Sequence, residues 1–341
     1  MNAPHEVLPA PKAGARVSPG LLYGILLTGA GLSLYFCAIF LQVVLLLANP
    51  RGHLLWLVQR IAWYSGASAL AGVLLALFDL FVLLPRQRTR AEAQYRPLRN
   101  LDLTVALTAY NDEASIGLAV QDFLAHPKVK RVIVVDNNSR DRTSEVARRA
   151  GAIVVLETRP GYGNCAFRAL TEGASYSDTE ATLLCEGDMT FRAYDIDKFL
   201  AFAPHADIVN GTRIVEQLRE RKTQLTTFMF YGNFFVGKLL EAKHLGRGTF
   251  TDVGTTYKLC RNSRLSDLLP LLQRDVNLEF NAYFLDQALT YGFSIVECPV
   301  TFHDRVGTSK GGNRSNLRAM RVGLRMIFGI LASWRPLSEI R

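Results

Sequence analysis

Two carboxylates separated by one glycine, Glu186-Gly187-Asp188, end a short apolar run that begins at Leu183. In a strand, residues two apart project to the same face, so both acids can reach one point in space. Gly187 between them is expected to leave room for a ligand to approach the backbone. Such a pair suits a hard divalent cation, Mg2+ or Mn2+, which takes one or two protein carboxylates and completes its shell with water and phosphate oxygens. A strand end carrying two solvated acids is the plainer alternative. The neighbouring segments decide between them.

Upstream, apolar strand patterns alternate with helical ones: strands at 103–107, 131–135, 152–156 and 182–185, and helices at 114–125, 143–150 and 163–172. This alternation predicts a doubly wound α/β sheet with parallel strands, in which ligands bind beyond the carboxyl ends of the strands. The distinctive residues fall there: Thr108-Ala-Tyr-Asn-Asp-Glu113, Asp136-Asn-Asn-Ser-Arg-Asp-Arg-Thr143, Glu157-Thr-Arg-Pro-Gly-Tyr-Gly163, and the acidic pair. Asp136 and Asn138 also suit capping of the helix near Thr143. The run from Gly161 to Ala166 matches G-x-G-x-x-A, but it belongs to the third unit and four residues separate it from its strand. A nicotinamide or flavin fingerprint needs the first glycine at the strand-to-helix turn of the opening unit, so dinucleotide binding is set aside.

The formal charge of +9 on 341 residues suits nucleic acid, a membrane surface or phosphorylated substrates. Hydropathy separates these. Leu21 to Leu47 contains no charge, about 27 residues at ~1.5 Å rise, more than a ~30 Å hydrocarbon core requires. A second run, Ile61 to Leu84, contains only Asp79, expected to reach the interface. A cleaved signal peptide is the alternative for the first run, and the length of that run and the span that follows it argue against it. The segment Asn49-Pro-Arg-Gly52 reads as the turn of a hairpin. Lys12 and Arg16 precede it and Arg86, Arg88, Arg90, Arg96 and Arg99 follow it, so both ends are expected on the cytoplasmic face of an inner or plasma membrane. Nucleic acid is not an expected partner. The five scattered cysteines contain no C-x-x-C pair and indicate free thiols in a reducing compartment. The expected organisation is a disordered tail (1–20), a membrane hairpin (21–84), a basic linker (85–100), a catalytic domain (101–304) and a basic loop with an interfacial helix (305–341).

The rim segments resemble glycosyltransferase family 2, with its GT-A fold, and more narrowly the polyprenyl-phosphate sugar transferases typified by dolichol-phosphate mannose synthase. Ala109-Tyr-Asn-Asp-Glu113 resembles the family's P-x-Y-N-E, and Val134-Val-Asp-Asn-Asn-Ser-Arg-Asp-Arg-Thr143 its V-D-D-G-S-x-D-x-T. The stretch Arg159 to Ala166 resembles the glycine-rich loop, Glu186-Gly-Asp188 the D-x-D, and Asn210-Gly-Thr-Arg213 the G-[ST]-R. The blocks at 251–257 and 297–310 resemble the downstream segments, the latter ending in R-x-G-x-S-K. The likeness runs from Leu103 to Lys310. Thr108 stands in place of proline, Asn137 and Asn138 in place of Asp and Gly, and Glu186 in place of the first Asp of D-x-D. The resemblance implies an inverting, metal-dependent hexosyltransferase using a UDP- or GDP-linked sugar. Thr108, Tyr110, Asp112, Val134, Asp136, Arg159 and Gly161 would line the nucleotide side. Asp188, with Glu186 beside Gly187, would hold the Mg2+ or Mn2+ on the diphosphate, and Arg213, Arg305 and Lys310 would face phosphate groups. Asp252 lies where relatives with hydroxyl acceptors carry an acid, so it is a candidate base.

A sugar hydroxyl normally needs a positioned base, whereas a phosphomonoester, with its second pKa near ~6, is already an anion. Arg314, Arg318, Arg321 and Arg325 form a row on a C-terminal helix beside Leu317, Met320, Leu324, Ile327 and Leu331, a pattern for a helix in the membrane interface. Phe228 to Phe235 is a second candidate interfacial element. Gly307, Gly311 and Gly312 would let the basic loop close over a ligand. Polyprenyl phosphate is therefore the expected acceptor and membrane lipid a partner, with a homo-oligomer left open. The rivals are transfer to another lipid hydroxyl, a processive polysaccharide synthase, which normally carries a Q-x-x-R-W segment absent here, and an inactive scaffold that binds nucleotide sugar or lipid.

Overall fold

A computed structural model describes residues 20–48, 53–83, 95–215, 218–220, 223, 225–244, 247–307 and 316–332. The expected tail, the turn at 49–52, most of the basic linker, Arg314 and Lys310 with its two following glycines lie outside these residues. The chain divides into two compact units, residues 15–91 and a unit containing 92–341.

The first unit is a pair of helices, α1 (Gly20–Ala48) and α2 (His53–Phe78), the latter continued by a π-helical turn, Asp79–Leu83. Both are long and apolar enough to cross a membrane. Their large side chains mostly face outward, as Phe40 (72% exposed) and Trp63 (80%) do, unlike those of a soluble core helix. The second helix starts at His53 rather than Ile61, because Arg60 does not interrupt it: its guanidinium lies 4.6 Å from the ring centroid of Trp56, one turn earlier. Small residues make the contact between the helices. A Cβ on Gly24 would stand 2.6 Å from the carbonyl of Gly72, and one on Gly31 2.7 Å from the amide of Ala69, so only glycine permits this approach. Asp79 does not reach outward as expected. It is fully buried, and its Oδ2 accepts the amide of Leu21 at 2.5 Å, capping the unsatisfied start of α1.

The second unit is built on a seven-stranded sheet in the order β3-β2-β1-β4-β6-β5-β7. The strands are β1 (Leu103–Ala109), β2 (Val129–Asp136), β3 (Ile153–Leu156), β4 (Ala181–Glu186), β5 (Ile208–Thr212), β6 (Lys258–Arg261) and β7 (Ile295–Pro299). Between them run α3 (Ile116–Leu124), α4 (Thr143–Arg149), α5 (Tyr162–Ala174), α6 (Ile196–Phe202), α7 (Thr227–Lys243), α8 (Asn262–Leu268) and α9 (Phe280–Thr290), and α10 (Asn316–Ala332) follows. Strand β1 is buried along its whole length, as a strand covered on both faces must be, and pairs in parallel with β2 and β4. The expectation of an all-parallel sheet fails at one strand. β6 runs antiparallel to β4 and β5, with Lys258 opposite both Leu184 and Asn210. Its entry from the ligand-facing rim places the preceding residues, Thr251 to Tyr257, at the same edge as the acidic pair.

Under the sheet, Tyr257 packs its ring against Phe191 and Phe199 at centroid distances of 4.9 and 4.6 Å. Helix α7 is pinned at its carboxyl end. The Asp286 carboxylate of α9 accepts Lys243 Nζ and pairs with His244 Nε2, each at 2.8 Å, and all three side chains are buried. The amino-terminal half of α7 leaves Phe228, Tyr231 and Phe235 exposed. Helix α10 packs along α7 and exposes Leu317, Met320, Leu324 and Phe328 together with Arg318, Arg321 and Arg325.

Candidate active site at the carboxyl rim of the sheet

The ends of β1 and β2 are braced against each other. Asn111 takes a left-handed conformation (φ 52°), its amide donating to Ser139 Oγ at 2.8 Å and its Oδ1 accepting the amide of Arg140 at 2.7 Å. Asp112 is nearly buried; Oδ2 accepts the amide of Tyr110, and its own amide donates to Thr143 Oγ1 at 2.8 Å. Tyr110 leaves its ring 43% exposed at the rim. Asp136 is 3% exposed, with Oδ1 accepting the amide of Ser139 and Oδ2 the hydroxyl of Ser144. Its first structural task is to shape the loop, and each oxygen keeps a second lone pair. Val134 does not line the rim. It lies two residues inside β2, fully buried in the hydrophobic core, because that end of the strand is covered on both faces, Ile133 and Val135 being as buried as Val134. Thr108 is also inward, and its contribution is its carbonyl, which accepts the amide of Gly187 at 3.0 Å.

Asn137 and Asn138 fasten the loop after β3. The Asn137 amide nitrogen donates to the carbonyls of Glu157 (3.0 Å) and Arg159 (2.7 Å), while its oxygen accepts the amide of Gly161 at 2.8 Å. Asn138, at φ 61°, donates to the carbonyls of Glu157 and Thr158. Arg159 stays about half exposed, 3.6 Å from Glu157. The loop glycines are explained by protein contacts. Gly161 has φ +119°, and a Cβ there would meet Asn277 Oδ1 at 3.0 Å; one on Gly163 would overlap the carbonyl oxygen of Val276 at 1.8 Å.

Glu186 and Asp188 do converge. Asp188 is fully buried; Oδ1 accepts both the amide (3.0 Å) and hydroxyl (2.5 Å) of Thr190. Its Oδ2 has no hydrogen bond, although Arg305 Nη2 lies 3.1 Å away. Burial, and next the charge of Asp188, push the Glu186 carboxyl up to about 7. A buried Asp188 with one unsatisfied oxygen, beside a half-buried Glu186, fits a hard cation whose other ligands come from water and phosphate. No group of three or more His, Cys, Asp or Glu stands ready as a complete metal cage among the described residues. The space beside Gly187 is not open to a ligand as expected: a Cβ there would sit 2.4 Å from Ile116 Cδ1, so the glycine admits a core side chain.

Arg305 reaches between the acids, 3.1 Å from Asp188 and 3.9 Å from Asp112. Burial lowers its pKa, but the charges of Asp188, Glu186 and Asp112 outweigh this and the net shift is upward. Backbone bonds from His303 to Thr190 and from Val306 to Asp188 lay its segment against the acidic turn. Arg213 and Asp252, expected to face phosphate and to act as a base, are bound to each other: Nε to Oδ2 at 2.6 Å and Nη2 to Oδ1 at 2.8 Å. Burial pushes the Asp252 carboxyl up, yet the adjoining guanidinium more than offsets it and holds it below the usual carboxylate range. Both oxygens are engaged, so Asp252 is not a free base here.

Several site residues escaped the sequence reading. Thr256 donates to Glu186 Oε1 at 2.9 Å, and Tyr162, Asn281 and buried Lys258 stand behind it. Burial brings the Lys258 ammonium down to about 7 against the pull of Asp252. Tyr162 and Thr256 lie inside segments already singled out. Asn281, in the first turn of α9, carried no signal.

Residues 104–268 match the family model for glycosyl transferase family 2. A dolichyl-phosphate hexose transferase of Haloferax volcanii is 28% identical over 210 residues, 61% of this chain and 86% of that protein. An uncharacterized glycosyltransferase of Mycobacterium tuberculosis is 38% identical over 112 residues, 33% of this chain and 48% of that one, so the match spans about half of that relative. Among solved structures, glucosyl-3-phosphoglycerate synthase from Mycobacterium tuberculosis, in complex with Mn2+, uridine diphosphate and phosphoglyceric acid, shares the fold. Its TM-score is 0.51 at 17% identity, covering 69% of this chain and 80% of that one.

Proposed function

The chain belongs to glycosyltransferase family 2, and on that premise we propose that it moves a hexose from a nucleoside-diphosphate sugar to polyprenyl phosphate at the cytoplasmic face of a membrane, with inversion. The observation that carries the choice of acceptor is the Arg213–Asp252 pair. The acid best placed to deprotonate an acceptor hydroxyl is already neutralised, so an acceptor that arrives as an anion suits the site. A phosphate oxygen of the acceptor would form the new bond to the anomeric carbon as the bond from that carbon to the diphosphate oxygen breaks. The electron pair leaves with the nucleoside diphosphate.

Each residue then has a physical task. Tyr110 and the braced loops carrying Asp112, Asp136 and Arg159 would receive the nucleoside. Arg305, partly buried among the acids, would stabilise negative charge on the departing diphosphate, a role the resemblance implies for Lys310 as well. Glu186 and Asp188 would hold Mg2+ or Mn2+, which when bound supplies positive charge to the diphosphate. Two apolar helices, the outward aromatic residues of α7 and the arginines of α10 support a membrane setting. The Haloferax relative's name supports a lipid-phosphate acceptor, and the Mn2+ and uridine diphosphate in the solved neighbour support the cation and the donor class.

The test is transfer of radiolabel from UDP- and GDP-sugars by the full chain in vesicles containing polyprenyl phosphate. The expected product is organic-soluble and releases its sugar in mild acid, and Asp188→Asn reduces its formation by about a hundredfold or more. An acid-stable glycolipid, a water-soluble polymer, or nucleotide binding without turnover would each overturn this reading in favour of one rival.

A further inference from the structure

Glu186 stands where the resemblance leads one to expect aspartate, and a chain of buried hydrogen bonds ends on it. Thr256 Oγ1 donates to Glu186 Oε1 at 2.9 Å, which commits its one proton. The 2.7 Å contact between Tyr162 Oη and Thr256 Oγ1 then runs from tyrosine to threonine, and it is shorter than the 3.2 Å to Asn281 Oδ1, the other acceptor within reach of the tyrosine proton. Tyr162 in turn accepts from Asn281 Nδ2 at 3.1 Å, and Asn281 Oδ1 accepts from Lys258 Nζ at 3.3 Å. The second amide proton of Asn281 goes to the carbonyl of Gly254, and a second one of Lys258 to the carbonyl of Thr255. Each group in the series thus directs one proton toward Glu186.

We infer that Lys258, Asn281, Tyr162 and Thr256 are positioning residues that orient Glu186 toward the cation, and that glutamate is required at 186 because only its longer side chain reaches Thr256. Lys258, Asn281 and Thr256 are each less than 5% exposed, so their polar atoms carry a cost unless they are paired. Lys258 forms no ion pair among the described residues, and the chain gives its donors acceptors. Aligned donors polarise one another, which strengthens the last bond of the series, onto the carboxylate. An aspartate at 186 would fall short by one methylene, roughly 1.5 Å, and lose it. The series joins the glycine-rich loop through Tyr162, α9 through Asn281 and the segment before β6 through Thr256, so three separate parts of the fold set the direction of one carboxylate.

This inference rests on the cation-binding part of the reading above, and its test separates the two. Mn2+ is titrated into the detergent-solubilised full chain with uridine or guanosine diphosphate present, and free Mn2+ is read by electron paramagnetic resonance. Tyr162→Phe and Thr256→Val are each expected to weaken Mn2+ binding about tenfold, as loss of a hydrogen bond to a charged group would. The double variant should weaken it by little more than either alone, because both cut one series. Thr256→Ser, which keeps the hydroxyl, should bind nearly as wild type. Glu186→Asp should bind more weakly, although it restores the residue expected from the resemblance. Unchanged binding in Tyr162→Phe and Thr256→Val beside a large loss in Asp188→Asn would overturn the positioning role alone. Unchanged binding in Asp188→Asn would overturn the cation assignment beneath it.

Discussion

Asn137 is the position at which chemistry and resemblance disagree most sharply, and exchanging it for aspartate tests the loop assignment. The side chain is 7% exposed and makes three hydrogen bonds to residues 157–161, two of them as donor. Aspartate keeps the oxygen that accepts Gly161 and replaces both donors with a second acceptor. The carbonyl of Glu157 retains Asn138, so losing that bond costs about 1 kcal/mol, whereas the partly buried carbonyl of Arg159 loses a donor at about 1–3 kcal/mol. The sum is about 3 kcal/mol, which for a unit of this size corresponds to roughly 10 °C in Tm. Four buried thiols, Cys165, Cys185, Cys260 and Cys298, all lie in this unit, so a thiol-reactive dye reports its unfolding in detergent. The penalty should shrink at lower pH. A carboxyl facing carbonyls has its folded pKa raised, so it takes up a proton and regains one donor as pH falls through that value. Asn138→Gly, at a position already in the left-handed region, should cost far less. An Asn137→Asp chain melting within 2 °C of wild type (a shift below ~1 kcal/mol) would refute the claim that this amide holds the loop.

Glycine positions give a second test with opposite signs. Gly163→Ala places a methyl on the carbonyl of Val276 and should lower Tm markedly, while Gly232→Ala, with open space around it on α7, should raise stability by about 0.5–1 kcal/mol. Equal effects in the same melting assay would show that the Val276 contact is not maintained. A third concerns His244, whose pKa is lowered by burial despite its bond to Asp286. Below the ordinary value of about 6.5 the unfolded chain takes up a proton that the folded chain resists, so stability falls as pH drops through 6.5 toward the folded value. His244→Gln should flatten the Tm profile between about pH 7 and 5.5, and parallel profiles would rule out that linkage.

The alternation of strands and helices from Leu103 to Glu186 was readable because each element is a single apolar pattern, and the rim residues follow from where those patterns stop. Strand β6 was not readable: four residues carry too little periodicity to reveal direction, so the antiparallel insertion came only from the structure. Val134 was misplaced because a motif window extends further than the rim does. Gly187 was assigned to ligand approach and Gly161 to the nucleotide side, since a sequence does not show that Ile116 or Asn277 would occupy the space. The pairing of Arg213 with Asp252 and the line from Lys258 to Glu186 join residues 39 and 70–72 positions apart, and no local pattern records such partnerships. The convergence of Glu186 and Asp188 was expected from their spacing at one strand end, and the structure adds Arg305, which only the resemblance had placed at the phosphate groups, 3.1 Å from Asp188.

The bond from the Leu21 amide to Asp79 makes the two apolar helices interdependent during biogenesis. Alone in hydrocarbon, the first would carry an open amide at its start and the second a bare carboxylate near its end, each a penalty of a few kcal/mol. Together, the Leu21 amide and Asp79 Oδ2 cover one another. Were the pair to span a bilayer, the earlier segment would gain from waiting for the later one, so that both would enter as one piece.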